Sequence, residues 1–290
     1  MRILLTNDDG IRAPGIEAMH AALTDLPRPG REVFGGPLLS PRDTGQRSPR
    51  WVVEVIAPLT VQSATGHGVT FHTPLMIRHE RVHDAMQGVA VDARPADCVK
   101  VALSNLWGEK YGPGQRPDLV VSGMNAGANC GINVVYSGTV AAALEAAFLG
   151  VPAIAVSMRM GAKKPLFDVA AGWGRRAIER VLSGGLLRPH ECVSINIPSV
   201  GEGGDVSPER MPPIKVCPMN THGLVDQYER RVSPMGDVYY WSAGSGLDFA
   251  GTEPGTDVDW LLKGCITVTP LMYDLTRHHG LADLARRVEG

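Results

Sequence analysis

Short apolar runs alternate along the chain with stretches in which apolar residues recur every three or four positions. Residues 3–5, 119–122, 153–157 and 192–197 are short apolar runs that read as strands, and residues 31–34 read as a second strand after the first. Residues 14–26 carry Ile16, Met19, His20, Leu23 and Leu26 at helical spacing, and residues 97–107 carry Cys98, Val99, Ala102, Leu103 and Leu106. Residues 139–149 place Val140, Leu144, Ala147 and Phe148 inward, and residues 166–182 place Leu166, Val169, Ala170, Trp173, Ala177 and Val181 on one face. Each pattern predicts a helix with one apolar side, and Pro14 suits a first helical turn. Strands alternating with helices predict an α/β fold, a mostly parallel sheet with helices on both faces.

Two regions break this alternation. Residues 46–88 are rich in Val and Thr, as in WVVEVIAPLTVQ and GVTFHT, and predict hairpins or an edge extension. Beyond residue 200 the helical period fades. After the loop-like GEGGDVSPERMPP, residues 214–217, 238–241 and 265–269 read as strands of a small antiparallel appendage, an oligomerisation arm. The expected division is an α/β core over 1–213 and a C-terminal β-rich arm over 214–290, acting as one functional unit. Tyr239, Tyr240, Trp241 and Trp260 read as packing an arm or interface, with base stacking as the lesser alternative.

Composition narrows the function classes. With 28 basic and 30 acidic residues among 290, the chain lacks the basic bias of a nucleic-acid binder, so a small or locally recognised partner is expected. Hydrophobic content of 44% is ample for a core, while 34 Gly and 22 Pro predict an ordered protein rich in loops. Cys98, Cys130, Cys192, Cys217 and Cys265 are odd in number and show no CxxC spacing. They read as buried reduced thiols rather than a disulfide framework or zinc site. No signal-peptide pattern and no apolar run of ~18–20 residues is present, so a cytoplasmic location without membrane association is expected. The pair His278-His279 reads as solvated.

In an open parallel sheet, ligands bind beyond the carboxyl ends of the strands. The first such end reads Thr6-Asn7-Asp8-Asp9-Gly10. An Asp-Gly turn explains it conformationally. A divalent cation explains it chemically, because a cation removes the repulsion between adjacent carboxylates, and hard oxygen donors favour Mg²⁺, Mn²⁺ or Ca²⁺. The strand end at Ser122-Gly123-Met124-Asn125-Ala126-Gly127-Ala128-Asn129 adds two amides among small residues, where Gly permits close backbone approach. Tyr136-Ser137-Gly138-Thr139 then opens a helix, whose free N–H groups suit an anion. Carboxylates, amides and an anion-ready helix start on one sheet edge favour a metal and phosphate site.

LLTNDDGIRAPGI, VVSGMNAGAN and VVYSGTVAAALEAAFLGVPAIAVS closely resemble the SurE family, the survival protein E nucleotidases, as do PADCVKVAL and GTDVDWLLKGCITVTPLMYDLT. The likeness runs from Arg2 to about Thr276. It implies a Rossmann-like three-layer fold with a C-terminal arm swapped between subunits of a homodimer, in some cases paired into tetramers. It implies a phosphohydrolase that needs one divalent cation per subunit, Mg or Mn with Ca as an alternative. Its substrates would be nucleoside 5′- or 3′-monophosphates, with short polyphosphate as a side substrate. The family's metal ligands fall on Asp8, Asp9 and Asn125, and its phosphate contacts on Asn129, Ser137, Gly138 and Thr139. The fourth ligand is a serine, usually followed by Gly, in the loop after the second strand. Here GPLLSPRDTGQ departs from the pattern and offers Thr44, which precedes Gly45, with Ser40 as the alternative. Substrate contacts over residues 46–94 cannot be transferred.

The expected chemistry is metal-assisted hydrolysis with Asp8 and Asp9 as catalytic residues and water as nucleophile. An aspartyl-phosphate route would favour a DxD spacing, which DD does not provide. A non-catalytic nucleotide sensor would use the same residues and differ only in lacking turnover.

Overall fold

The computed structural model describes residues 1–26, 28, 51–200, 210–222, 227–243 and 252–289. The expected strand at 31–34 and the hydroxyls of Ser40 and Thr44 lie outside these residues. In chain order come β1 (Arg2–Thr6), α1 (Pro14–Thr24), β2 (Val52–Pro58), β3 (Ile77–His83), β4 (Met86–Val91), α2 (Pro95–Val101) and α3 (Trp107–Tyr111). There follow β5 (Leu119–Ala126), α4 (Gly138–Phe148), β6 (Ala153–Met158), α5 (Phe167–Leu182), β7 (Cys192–Ile197), β8 (Ile214–Val216), β9 (Tyr228–Val232) and β10 (Val238–Ser242). The described chain ends with α6 (Asp257–Leu262), β11 (Ile266–Leu271) and α7 (Leu281–Val288). A π-helical segment, Ala102–Leu106, joins α2 to α3.

Nine strands form one sheet in the order β3-β4-β2-β1-β5-β6-β7-β11-β8 among the described residues. From β4 to β7 neighbours run parallel. The continuous apolar runs are explained by burial on both faces, as parallel strands under two helix layers require. Ile3, Leu5, Leu119 and Val121 join the core with α1 and α5, whereas Leu4 and Val120 join the core with α2 and α4. The period-2 alternation of side chains divides each run between the two layers.

Two expectations are corrected. Within residues 46–88, β2 is not part of an edge extension: it pairs in parallel with both β1 and β4. Val55 and Ala57 pack into one core and Ile56 into the other, which makes β2 an interior strand despite Glu54. Only β3 and β4 form an antiparallel hairpin at the edge. Near the C-terminus, β8 and β11 do not belong to a separate antiparallel appendage. Strand β11 joins the main sheet antiparallel to β7, and β8 lies parallel to β11, because Ile266 and Val268 are buried in the α1/α5-side core. Among the described residues, only the hairpin β9–β10 stands apart from this sheet. Phe148, expected inward, is exposed and meets Tyr273 edge-on at 5.6 Å. All five cysteines are free and buried, as expected.

Candidate metal and phosphate site

Strand order reverses between β1 and β5. The chain moves outward through β2 and β4 on one side and through β6 and β7 on the other, and such a switch point opens a crevice at the carboxyl ends of the strands. Asp8 and Asp9 leave β1 on one side of this crevice. Asn125 ends β5 on the other. Gly10 adopts φ +97°, a conformation that L side chains disfavour, and Asn7 Nδ2 donates to Gly10 O at 2.9 Å. This closes the turn that presents the two carboxylates together. TNDDG is therefore a shaped turn and an acidic pair at once.

Asp8 is 4% exposed and accepts a short hydrogen bond from the Thr139 hydroxyl. Burial, together with the charge of Asp9, pushes its carboxyl up to about 6, although the Thr139 hydrogen bond pulls the other way. Burial also raises Asp9, against a hydrogen bond from the Ala126 N–H to Asp9 Oδ2 at 2.9 Å. Asp8 is thus buried and Asp9 half-buried, with no Lys or Arg ion pair to either among the described residues. That environment suits a bound cation, since neither carboxylate has another compensating charge. Among the described residues, no group of three or more His, Cys, Asp or Glu converges. A cation here would meet two carboxylates and could draw further donors only from neutral oxygens, which is the hard-ligand pattern of Mg²⁺, Mn²⁺ or Ca²⁺.

Asn125 is aimed by a bulge. Between Gly123 and Asn125 the register of β5 against β6 slips by one residue, which redirects the end of a strand. A side chain on Gly123 would lie 2.2 Å from Val156 O, so only glycine fits there. Asn125 Nδ2 donates to Gly127 O at 2.7 Å, leaving its oxygen as the available ligand atom.

The anion-ready part is the start of α4. Ser137 is the N-cap, and its Oγ accepts from Val140 N at 3.1 Å. A Cβ on Gly138 would stand 2.8 Å from Asp8 Cβ and 3.1 Å from Pro95 Cγ, so the helix start touches the acidic turn directly. Thr139, expected at the phosphate, has its hydroxyl on Asp8 and joins the two halves of the site. Asn129 is buried, and its Nδ2 donates to Ser157 Oγ at 2.9 Å.

Sequence reasoning missed the loop after β2. Gln62 N donates to Asp8 O at 2.7 Å, and Gly66 N donates to Tyr136 O at 3.0 Å. Residues 59–66 therefore run across the crevice from Asp8 to the start of α4 and bring Thr60, Ser63 and Thr65 beside Gln62. Thr65 Oγ1 is committed to Gln62 O at 2.9 Å, and Thr60 Oγ1 faces Gln62 Nε2 at 3.4 Å. Ser63 is exposed. The signal was present in VVEVIAP, which reads as an interior strand once its two-sided burial is recognised. Among the described residues, β2 is the next strand after α1, and the loop that follows it is 59–66.

Residues 42–225 match the family model described as survival protein SurE. The 5′-nucleotidase SurE of Syntrophobacter fumaroxidans is 37% identical over 99% of both chains. The 5′-nucleotidase SurE 1 of Thermus thermophilus is 38% identical over 100% of this chain and 99% of its own. The crystal structure of SurE from Aquifex aeolicus superposes with a TM-score of 0.74 at 31% identity, over 99% of each chain. With its doubly covered parallel sheet and its acidic turn at the switch point, the chain belongs to the survival protein SurE family.

Proposed function

We propose that this chain is a divalent-metal-dependent phosphohydrolase that removes the 5′-phosphate, and also the 3′-phosphate, from nucleoside monophosphates, with short polyphosphate as a side substrate. The observation that carries the reading is the junction of Asp8 with the start of α4, through Thr139 and across Gly138. That junction sets a cation site against an anion site, as a phosphate ester bound through a metal requires. The names of the relatives support the 5′ activity.

Asp8, Asp9 and the Asn125 oxygen would hold the cation. When bound, it supplies charge stabilisation at a phosphoryl oxygen and lowers the pKa of water. For the neutral hydroxyl donor we assign Ser63, in preference to Thr44 or Ser40, because the Gln62 main chain is bonded to Asp8. The first N–H groups of α4, the Ser137 hydroxyl and Asn129 stabilise charge on the equatorial phosphoryl oxygens. Asp9 is the more accessible carboxylate. With Oδ2 held by the Ala126 N–H, its Oδ1 accepts the proton of the attacking water. Phosphate release from AMP and GMP should require Mg²⁺ or Mn²⁺ and stop on chelation with EDTA. Ser63→Ala should weaken Mn²⁺ binding about tenfold where Thr44→Ala and Ser40→Ala do not. Turnover that survives thorough chelation refutes the metal-dependent reading.

The assembly proposed is a homodimer with an exchanged C-terminal arm, capable of pairing into a tetramer, in the cytoplasm. Tyr240 and Trp241 on β10 are 63% and 62% exposed, and Leu281, Leu284 and Val288 line one side of α7 in the open. Apolar stripes of this kind mark interfaces. Light scattering should give a multimer for the wild type and a smaller species for Leu284→Asp with Val288→Asp. An unchanged mass in that variant contradicts the arm assignment.

A further inference from the structure

We propose that Asn196 and Ser157, which lie outside the set of residues assigned above to metal and phosphate, are the positioning residues that set Asn129 in place. This rests on the reading of Asn129 as a phosphate contact. Asn125, Ser157 and Asn196 occupy one cross-strand row, with Asn125 paired to Ser157 and Ser157 to Asn196 across β5, β6 and β7. Asn129 lies in the loop beyond β5 and has no strand of its own to fix it. Asn196 supplies the missing ladder. Its Oδ1 accepts from Asn129 N at 2.8 Å, and its Nδ2 donates to Asn129 O at 3.0 Å.

Because a main-chain N–H can only donate and a carbonyl can only accept, this pair of bonds fixes which way the Asn196 amide points. It also fixes the Asn129 backbone at both of its polar atoms. Ser157 Oγ then takes the Asn129 side chain through Nδ2 at 2.9 Å. Asn196 is 1% exposed and Ser157 is fully buried, so neither reaches solvent or substrate. Two residues further on, Asp257 holds the same loop by accepting from Gly131 N at 2.8 Å.

A buried side chain that makes a reciprocal pair of bonds to one main-chain residue transmits its own position to that residue. Removing it leaves an N–H and a C=O of Asn129 unpaired under cover, which the loop relieves by moving. Misplacing a phosphate contact by a fraction of an ångström is costly, because such contacts act only when aligned. Asp8 and Asp9 sit on the turn after β1, and Asn125, although it lies on β5 shortly before Asn129, has its own bond to Gly127 O, so the affinity for metal does not depend on the bonds of Asn196 to Asn129.

The test measures inhibition by inorganic phosphate, binding of Mn²⁺ without phosphate, and thermal unfolding. The variants are Asn129→Ala, Asn196→Ala, Ser157→Ala and Asn129→Ala combined with Asn196→Ala. Asn129→Ala and Asn196→Ala should each raise the phosphate inhibition constant about tenfold, and the double variant should be no worse than Asn129→Ala alone. Mn²⁺ affinity in Asn196→Ala should stay that of the wild type, which a general loss of structure would not allow. A folded Asn196→Ala with wild-type phosphate inhibition overturns the positioning role while leaving Asn129 as a contact. An unchanged constant in Asn129→Ala itself removes the phosphate reading and the proposal with it. If Asn196→Ala does not fold, Ser157→Ala decides: a wild-type constant there counts against the proposal, and a raised one supports it.

Discussion

Replacing Asp8 and Asp9 together by Asn is expected to lower kcat/KM for AMP by roughly 1,000-fold or more, the scale on which losing preorganised electrostatics in a water-excluded site acts. The same change should stabilise the cation-free protein. Asp8 is 4% exposed and its carboxyl is raised by burial from 3.8 to about 6. A carboxyl raised on folding binds more protons in the folded state between those two values. Stability of the cation-free wild type therefore falls as pH rises from about 4 to about 6, by up to roughly 3 kcal/mol, and stays lower above that window. Asp8→Asn removes this dependence. Thermal melts at pH 8 in EDTA should show the variant above the wild type by several degrees, at about 2–4 °C per kcal/mol. Adding Mn²⁺ should raise only the wild type. A variant that melts lower without metal, or that keeps its turnover, contradicts the placement of the cation at this pair.

Gly138→Ala should cost about 100-fold in kcat/KM with the cooperative fold retained, because misplacing a catalytic group by about 1 Å has consequences of this size. The Cβ would stand 2.8 Å from Asp8 Cβ and 3.0 Å from Asp8 Oδ2, against Pro95 Cγ on its other side at 3.1 Å. With Pro95 fixed at the start of α2, relief comes from moving Asp8 away from Thr139. Alanine is otherwise welcome in a helix, where it outranks glycine by about 1 kcal/mol, so a propensity argument alone predicts a harmless or stabilising change. Steady-state kinetics alongside a melting curve separate the two. Full activity in a folded Gly138→Ala would show that the helix start and the acidic turn are not in functional contact.

These two predictions mark how far the sequence reached. Asp8, Asp9 and Asn125 were legible because they lie where buried apolar runs end, and Ser137–Thr139 because it opens a helical pattern. The register slip at Gly123 was not legible, since a bulge depends on how a neighbouring strand packs. Nor was the role of the 59–66 loop. Richness in Val and Thr, as in WVVEVIAPLTVQ, suits a hairpin or edge strand as well as an interior one, and only the pairing with β1 and β4 places β2 inside the sheet. The hydroxyl expected beside Asp8 was sought around Ser40 and Thr44. The placement of β8 and β11 was not legible either, because short strands look alike in a sequence whether they pair with one another or with a distant β7.

The local chemistry was thus set by the sequence alone: an acidic turn with the conformation that Gly10 allows, an amide-bearing strand end, a capped helix start, and apolar runs that could only be interior strands. Such features depend on residues close together in the chain, where spacing dictates which face and which turn they occupy. The meeting of those parts was decided by the tertiary structure. Thr139 reaches Asp8, Gln62 reaches Asp8 O, and Asn196 reaches Asn129 across 131, 54 and 67 residues of chain. Contacts of that range follow from the order in which strands are laid into the sheet. That order is fixed by burying both faces of every central strand at once, a condition no single segment carries within itself.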